Sequence, residues 1–407
     1  MPVPSTPSST PQDLALVLGG GGARAAYQAG VLRCLARHRP GLRFPIVTGV
    51  SAGAINATFL ASFAGTPAEA ADALIDLWGS LTVDNVFCAS LWALAKNFFG
   101  WGCRLTSCGL RLGPEPRGLV DTEPLRRLLH SAVGDAGGGI PGVARNIADG
   151  TLRALALTTV DYGTGQSVVW MQGRDAMAWR KPQRLGIVTE IGVEHVMASA
   201  ALPLFFPAVQ LAEGWHGDGG IRLAPPFSPA LKLGARRILA ISTRYDRSQE
   251  EADRPSVHRY PPLAQILGQL LNAIFLDLFD EDALRIQRLN AIAACPIPGI
   301  PRPDLRTVDT LVLRPSADLG RLAADFEPRL PRAFRFATRG LGTRETESPD
   351  ALSLIMFQSD YTRRLMDLGE ADAEARCEEI NSFLDRPPLG VPPRSPTGAG
   401  SGSDPTE

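Results

Sequence analysis

The chain has almost no lysine. Of 41 basic residues among 407, only Lys96, Lys181 and Lys232 are lysines. The arginines form no single cluster, so their excess reads mostly as coding bias. Net charge is -1, which leaves no global field to draw in nucleic acid. No run reaches the ~18 uninterrupted apolar residues that a membrane-spanning helix needs. The opening MPVPSTPSSTPQD lacks the basic start and apolar stretch of a signal peptide. The six cysteines (Cys34, Cys88, Cys103, Cys108, Cys295 and Cys377) contain no C-x-x-C pair. That spacing argues against a zinc site and fits reduced thiols in the cytosol. A cytoplasmic protein is expected, with peripheral membrane contact left open.

What is present is a globular composition, 44% hydrophobic and 20% charged. Residues 1–12 and 387–407 are rich in Pro, Gly and Ser and are expected to be disordered tails. Between them, DLALVL (13–18) reads as a buried strand. GGGG (19–22) turns, and residues 23–38 carry helical spacing. FPIVTGV (44–50) is a second strand, followed by an apolar helix over 52–64. Strand and helix alternating this closely predict a right-handed crossover and a parallel sheet. Further strands are expected at 152–160, 166–172, 206–211, 236–244 and 309–315, and one long helix over 262–290. Beyond 316 the pattern is helical to about 385. The sum is a three-layer α/β/α architecture with a mostly parallel central sheet and a helical C-terminal part.

TGVSAG (48–53) sits where the second strand meets its helix. Ser51 between Gly49 and Gly53 is either a tight turn or a nucleophile. In the nucleophile reading the sharp turn demands small neighbours and lifts Oγ above the sheet. The dipole of the following helix favours negative charge developing nearby. A serine nucleophile also needs backbone amides aimed at the oxygen as it becomes charged. Gly20, Gly21 and Gly22 supply such a nest at the end of the first strand. Adjacent parallel strands would put both at the same carboxyl edge, where open α/β sheets place their sites.

The glycine loop has a rival reading, because Gly20 to Ala25 fits a relaxed dinucleotide pattern. That pattern wants an acid about 20 residues on. No acid lies between 25 and 50, so a nucleotide is not expected. A Ser-Asp-His triad would need a late histidine, and only His258 follows the candidate acid. That acid is Asp218 in WHGDGG (215–220), set against two glycines. Its bland reading is an Asp-Gly turn. In the functional reading it accepts the Ser51 proton directly. His216 shares a face with Asp218 if 215–218 is extended, and stands as an alternative base.

These segments carry a resemblance. GGGGARAAYQAGVL (19–32), GVSAGAINA (49–57), ASAALPLFFPAV (198–209) and DGG (218–220) are similar, in order, to motifs of the patatin-like phospholipase family. The likeness runs from about 14 to 231 and extends less specifically to VLRPSADLGRLAADF (312–326). It implies a patatin-like hydrolase core over 13–231, with 232–386 completing the sheet and adding helices. It also implies a Ser-Asp dyad: Ser51 as nucleophile and Asp218 as proton acceptor. Gly20, Gly21 and Gly22 would form the oxyanion hole, supported by Arg24, Gly49, Gly53 and Gly219. One position departs, since Ala25 stands where the family carries Gly. Its methyl group either crowds the loop or packs into the helix.

The implied activity is ester hydrolysis on phospholipids or lysophospholipids, through an acyl-enzyme and without metal or other cofactor. Alternatives are a neutral-lipid carboxylesterase or lipase, a transacylase, and a catalytically weak lipid-binding protein. The expected partner is a lipid at a membrane or micelle surface. Two stretches could meet it: the aromatic segment 86–102, with Phe87, Trp92, Phe98, Phe99 and Trp101, and the segment 328–341. As a helix, the latter aligns Arg329, Arg332, Arg335 and Arg339. A buried helix and an ordinary surface helix are the respective plainer readings.

Overall fold

The computed structural model describes residues 12–88, 118–134, 137–212, 214–222, 225–253, 260–275, 278–295, 307–340, 342–343, 346 and 348–386. The expected tails, His258, and Trp92, Phe98, Phe99 and Trp101 lie outside the described residues.

Ten strands form one mixed sheet. They are β1 (Leu14–Leu18), β2 (Ile46–Val50), β3 (Ala154–Asp161), β4 (Ser167–Gly173), β5 (Trp179–Lys181), β6 (Arg184–Val188), β7 (Val209–Leu211), β8 (Gly214–Asp218), β9 (Arg237–Ile241) and β10 (Asp309–Leu313). The order is β10-β9-β1-β2-β3-β4-β6-β5, with β8 joining β3 and β7 joining β8. From β10 to β3 every pairing is parallel. Parallel strands covered on both faces read as continuous apolar runs, and LALVL of β1 and RILAI of β9 are buried at every position. β3 and β4 form an antiparallel hairpin closed by the expected DYGTG turn, where the Gly165 amide donates to the Asp161 carbonyl at 2.8 Å.

The strand period of two splits the core. Leu14, Leu16 and Leu18 point into one apolar layer; Ala15 and Val17 point into the other. The first layer is covered by α1 (Ala26–His38), α2 (Ala52–Ser62), α3 (Pro67–Ser80) and α4 (Glu123–Val133). The second is covered by Phe227, Ala230 and Leu233 and by Phe279, Ala283 and Ile286. This is the expected three-layer arrangement.

Later helices are α5 (Val193–Ser199), α6 (Leu263–Phe275), α7 (Leu278–Ala294), α8 (Arg332–Gly340), α9 (Asp350–Ile355), α10 (Ser359–Ala375) and α11 (Cys377–Asp385). α10 lies against α1 with the two backbones in close approach. A Cβ at Gly30 would overlap the Met366 carbonyl, and one at Gly369 would overlap the Tyr27 carbonyl.

The helix expected over 262–290 is described over Leu263–Phe275 and Leu278–Ala294, as α6 and α7, with 276–277 outside the described residues. Along α6, Leu263, Ile266 and Leu270 are exposed, Leu267 and Leu271 half-buried, and Ala264 buried. The reason is local. The face of α6 bearing Gly268 packs on α9, where a Cβ at Gly268 would stand 3.1 Å from the Asp350 Cβ. A helix docked through its smallest residues leaves its leucines outward.

One feature of the sheet positions the site. β4 occupies one edge of β3 up to Val160, so β2 and β8 must share the other edge. β2 runs parallel to β3 and ends with Val50 opposite Thr158. β8 runs antiparallel and ends with Asp218 opposite Thr159. The two strands therefore arrive head to head at neighbouring positions on one template.

Candidate active site

Ser51 is the first residue past β2 and has φ 55° and ψ -133°. A positive φ is strained for a residue with a side chain. The turn exists because its flanks are bare. A Cβ at Gly49 would overlap the Gly53 carbonyl, and one at Gly53 would overlap the carbonyls of Leu18 and Gly19. Ser51 precedes the first turn of α2 and is nearly buried, at 6% exposure. Its amide donates to Ser199 Oγ at 3.1 Å, and that hydroxyl donates to the Thr158 carbonyl at 2.7 Å. Ser199 thus ties the elbow to β3.

Asp218 ends β8 rather than sitting in a hairpin turn, and it is fully buried. Its Oδ1 accepts the Gly220 amide at 2.8 Å. Its Oδ2 is buried without a well-aligned hydrogen-bond partner. Burial pushes the carboxyl up to about 7, against the lowering effects of the Ser51 hydroxyl, which hydrogen-bonds it, and of the Gly220 amide. Gly219 lets the chain leave β8 tightly, because a Cβ there would overlap the Thr158 carbonyl.

The glycine turn lies beside the elbow: a Cβ at Gly20 would come 2.9 Å from the Ser51 Cβ. Gly21 and Gly22 have φ 137° and 55°. Among the described residues, neither the Gly20 nor the Gly21 amide donates a backbone hydrogen bond. The turn is held from behind. Thr243 Oγ1 donates to the Gly20 carbonyl at 2.6 Å. Arg24, buried, donates through Nε to Ser353 Oγ and through Nη2 to Asp350 Oδ1, both at 2.6 Å. Asn272 Nδ2 donates to the other Asp350 oxygen at 2.8 Å. A second chain of buried amides runs beneath: Trp78 Nε1 donates to Asn56 Oδ1, Asn56 Nδ2 to Gln28 Oε1, and Gln28 Nε2 to the Gly19 carbonyl. Ala25 has φ -66°, open to any residue, and its methyl is buried in the core. It packs and leaves the loop uncrowded.

The histidines have other commitments. His216 does share a face with Asp218, but its Nδ1 is 3.0 Å from Thr159 Oγ1, which also accepts Trp170 Nε1 at 2.9 Å. Its Nε2 lies toward Gly214 and Asp161. Burial, only partly offset by Asp161, lowers its pKa. His195 accepts the Gly192 amide at Nδ1, and burial lowers its pKa to about 4.

In front of Ser51, Gly21 and Gly22 opens a cavity of about 760 Å³ of empty space, partly continuous with solvent. Ile55, Trp78, Leu129, Phe206 and Leu354 are among its apolar walls. A family model described as patatin-like phospholipase matches residues 16–231.

The chain belongs to the patatin-like phospholipase family. Members of that family are lipid acyl hydrolases. Solved structures similar to it include VipD from Legionella pneumophila, at 14% identity over 88% of this chain and 67% of that one, with a TM-score of 0.35. Human GIVD cytosolic phospholipase A2 shares 12% over 91% of this chain and 59% of its own, with a TM-score of 0.41. ExoU of Pseudomonas aeruginosa, solved with SpcU, shares 26% over 40% and 35%, with a TM-score of 0.22. This patatin-like phospholipase therefore spans about two thirds or less of these chains. A search of curated proteins finds no match.

The site holds residues that reading the sequence of this patatin-like phospholipase missed. Asp350 and Ser353 hold Arg24 from more than 300 positions away, and no local signal marks them. Ser199 lay within a quoted motif without a role.

Of the two stretches offered as lipid contacts, Phe87 is buried in an aromatic group with Phe205, Phe206, Phe334 and Phe357. Three of the four arginines near α8 have local partners, and the Arg332 side chain lies outside the described residues. Arg329 pairs with Asp360, Arg339 lies 3.5 Å from Glu327, and Arg335 donates to the Pro328 carbonyl. No helix among the described residues is long and apolar enough to cross a membrane.

Proposed function

We propose that this enzyme cleaves acyl esters of phospholipids or lysophospholipids through a Ser51–Asp218 dyad. One observation carries the reading. A fully buried carboxyl with an unpartnered oxygen ends β8 at the rung of β3 next to the one where β2 delivers a serine of positive φ, at the mouth of an apolar cavity, and burial raises that carboxyl to about 7. A base that titrates near neutrality is matched to proton transfer at working pH.

In this mechanism the acyl chain lies along the cavity, with the ester carbonyl over Ser51. Oγ attacks the carbonyl carbon as its proton passes to Asp218. The amides of Gly20, Gly21 and Gly22 receive the oxyanion, already aimed and already dry. The Oγ–carbon bond forms, the ester C–O bond breaks, and Asp218 returns the proton to the leaving alcohol. Water then attacks the acyl-enzyme with Asp218 again as base. A lipid alcohol in place of water would give transacylation. The peripheral lipid surface is part of the proposal, since the substrate resides there.

Labelling with a fluorophosphonate probe tests the dyad. Wild type, His216→Ala and His258→Ala are expected to react, and Ser51→Ala and Asp218→Asn to lose the label. Label persisting in Ser51→Ala overturns the nucleophile. Faster release of fatty acid from triacylglycerol or short soluble esters than from phospholipid micelles overturns the substrate class.

A further inference from the structure

A second cluster of reactive side chains lies outside the catalytic site, where α1 ends against α10. Cys34 and His38 sit four residues apart on α1, so they share a face. Glu374 comes from the last turn of α10. Cys34 Sγ donates to Glu374 Oε2 at 3.4 Å, and His38 Nε2 lies 2.7 Å from the same oxygen. One donor atom from each residue falls within 4.8 Å of the others. Ligand atoms around tetrahedral Zn²⁺ stand about 3.3–3.8 Å apart, from bond lengths of about 2.0–2.3 Å. Glu374 Oε2 already lies within 3.4 Å of both other donors, so binding has to draw Cys34 Sγ and His38 Nε2 together through their own side-chain torsions.

We propose that Cys34, His38 and Glu374 bind one divalent zinc-class cation, with water in the fourth position. Thiolate, imidazole and carboxylate together select a borderline metal over magnesium or calcium. The C-termini of α1 and α10 add their negative ends to the site. The nearby guanidiniums do not compete for it. Arg33 and Arg37 both pair with Glu370. Arg39 is taken by Asp385 and Asn381, and Arg376 by Glu379 and the Val312 carbonyl. His38 and Glu374 are half open to solvent, which admits the ion and its water. Cys34 is buried and gives up its thiol proton on binding. Zinc sites legible in a sequence pair cysteines close in the chain, and this chain has no such pair. Here the donors come from two helices 336 positions apart. The ion would staple the end of α1 to the C-terminal helices and take no part in ester cleavage.

Full-length enzyme stripped with chelator and titrated with Co²⁺ tests this. One Co²⁺ per chain is expected, with a thiolate-to-metal charge-transfer band that Zn²⁺ abolishes by displacement. Zn²⁺ should raise Tm by a few degrees over the chelated protein. His38→Ala and Glu374→Gln, on partly exposed positions, should each weaken Co²⁺ binding at least about tenfold and keep fluorophosphonate labelling. Cys34→Ser should lose the band, and Cys377→Ala should keep it. The assignment falls if no saturable band forms, if the band depends on Cys377 but not Cys34, or if His38→Ala and Glu374→Gln bind as wild type.

Discussion

The glycine turn at 20–22 has two sides made of opposite materials. Its front faces a cavity of hydrocarbon, where Ile55, Leu129 and Leu354 leave space. Its back is packed with charge and hydrogen bonds: Arg24, Asp350, Ser353, Asn272 and Thr243. The difference follows from what each side must do. In the proposed mechanism the front releases water and admits an acyl chain, so it cannot hold the backbone. The back never meets substrate, so it can fix three glycines with bonds that would be costly to leave unmade.

Four changes test that contrast. The largest effect is expected from Gly22→Ala, which touches both sides at once. Its φ of 55° disfavours a side chain, and the new Cβ would overlap the Leu354 carbonyl. A loss of about 10²–10³ in labelling rate is expected, the scale of one lost oxyanion donor. Wild-type reactivity would mean the turn is not the anion site. Next comes the back alone. Arg24→Met leaves the Asp350 carboxylate buried without its cation, at 7% side-chain exposure. Thermal or urea unfolding should show about 3–5 kcal/mol of lost stability.

The third concerns Asp218 and pH. The reacting form is the carboxylate, so kcat/KM should rise with pH through about 7. Stability should run the other way. The folded pKa lies above the unfolded value of about 3.9, so the native state holds the extra proton between roughly pH 4 and 7. That stabilisation is full below pH 4 and fades as pH rises through 7. Asp218→Asn, which never ionises, should therefore gain more Tm relative to wild type at pH 8 than at pH 5. An equal offset at both would show the carboxyl is not buried as described. The smallest effect belongs to the front. Ile55→Phe should shift preference from long to short acyl esters by about tenfold, read from chain-length series of p-nitrophenyl esters. No shift would place the acyl chain elsewhere.

The strand, elbow and glycine turn were legible because each is a local pattern: an apolar run, then residues too small for anything else. Asp218 was legible by motif, but the β8 pairing that buries it depends on β3 and is invisible locally. Arg24 could be named, yet its partner Asp350 could not, since 326 positions separate them. Periodicity reports that a helix has an apolar face, not that the face is covered, and on α6 Leu263, Ile266 and Leu270 stay exposed. Cys34 and His38 could have been paired by their helical spacing; Glu374 could not.

The meeting of β2 and β8 on one edge of β3 has a mechanical outcome. Hydroxyl and carboxyl rest on a common footing, at adjacent rungs of the same strand. A twist of the sheet along β3 carries both positions together. In the proposed function, room for a lipid would then come from other walls of the cavity, such as α4 and residues 354–357.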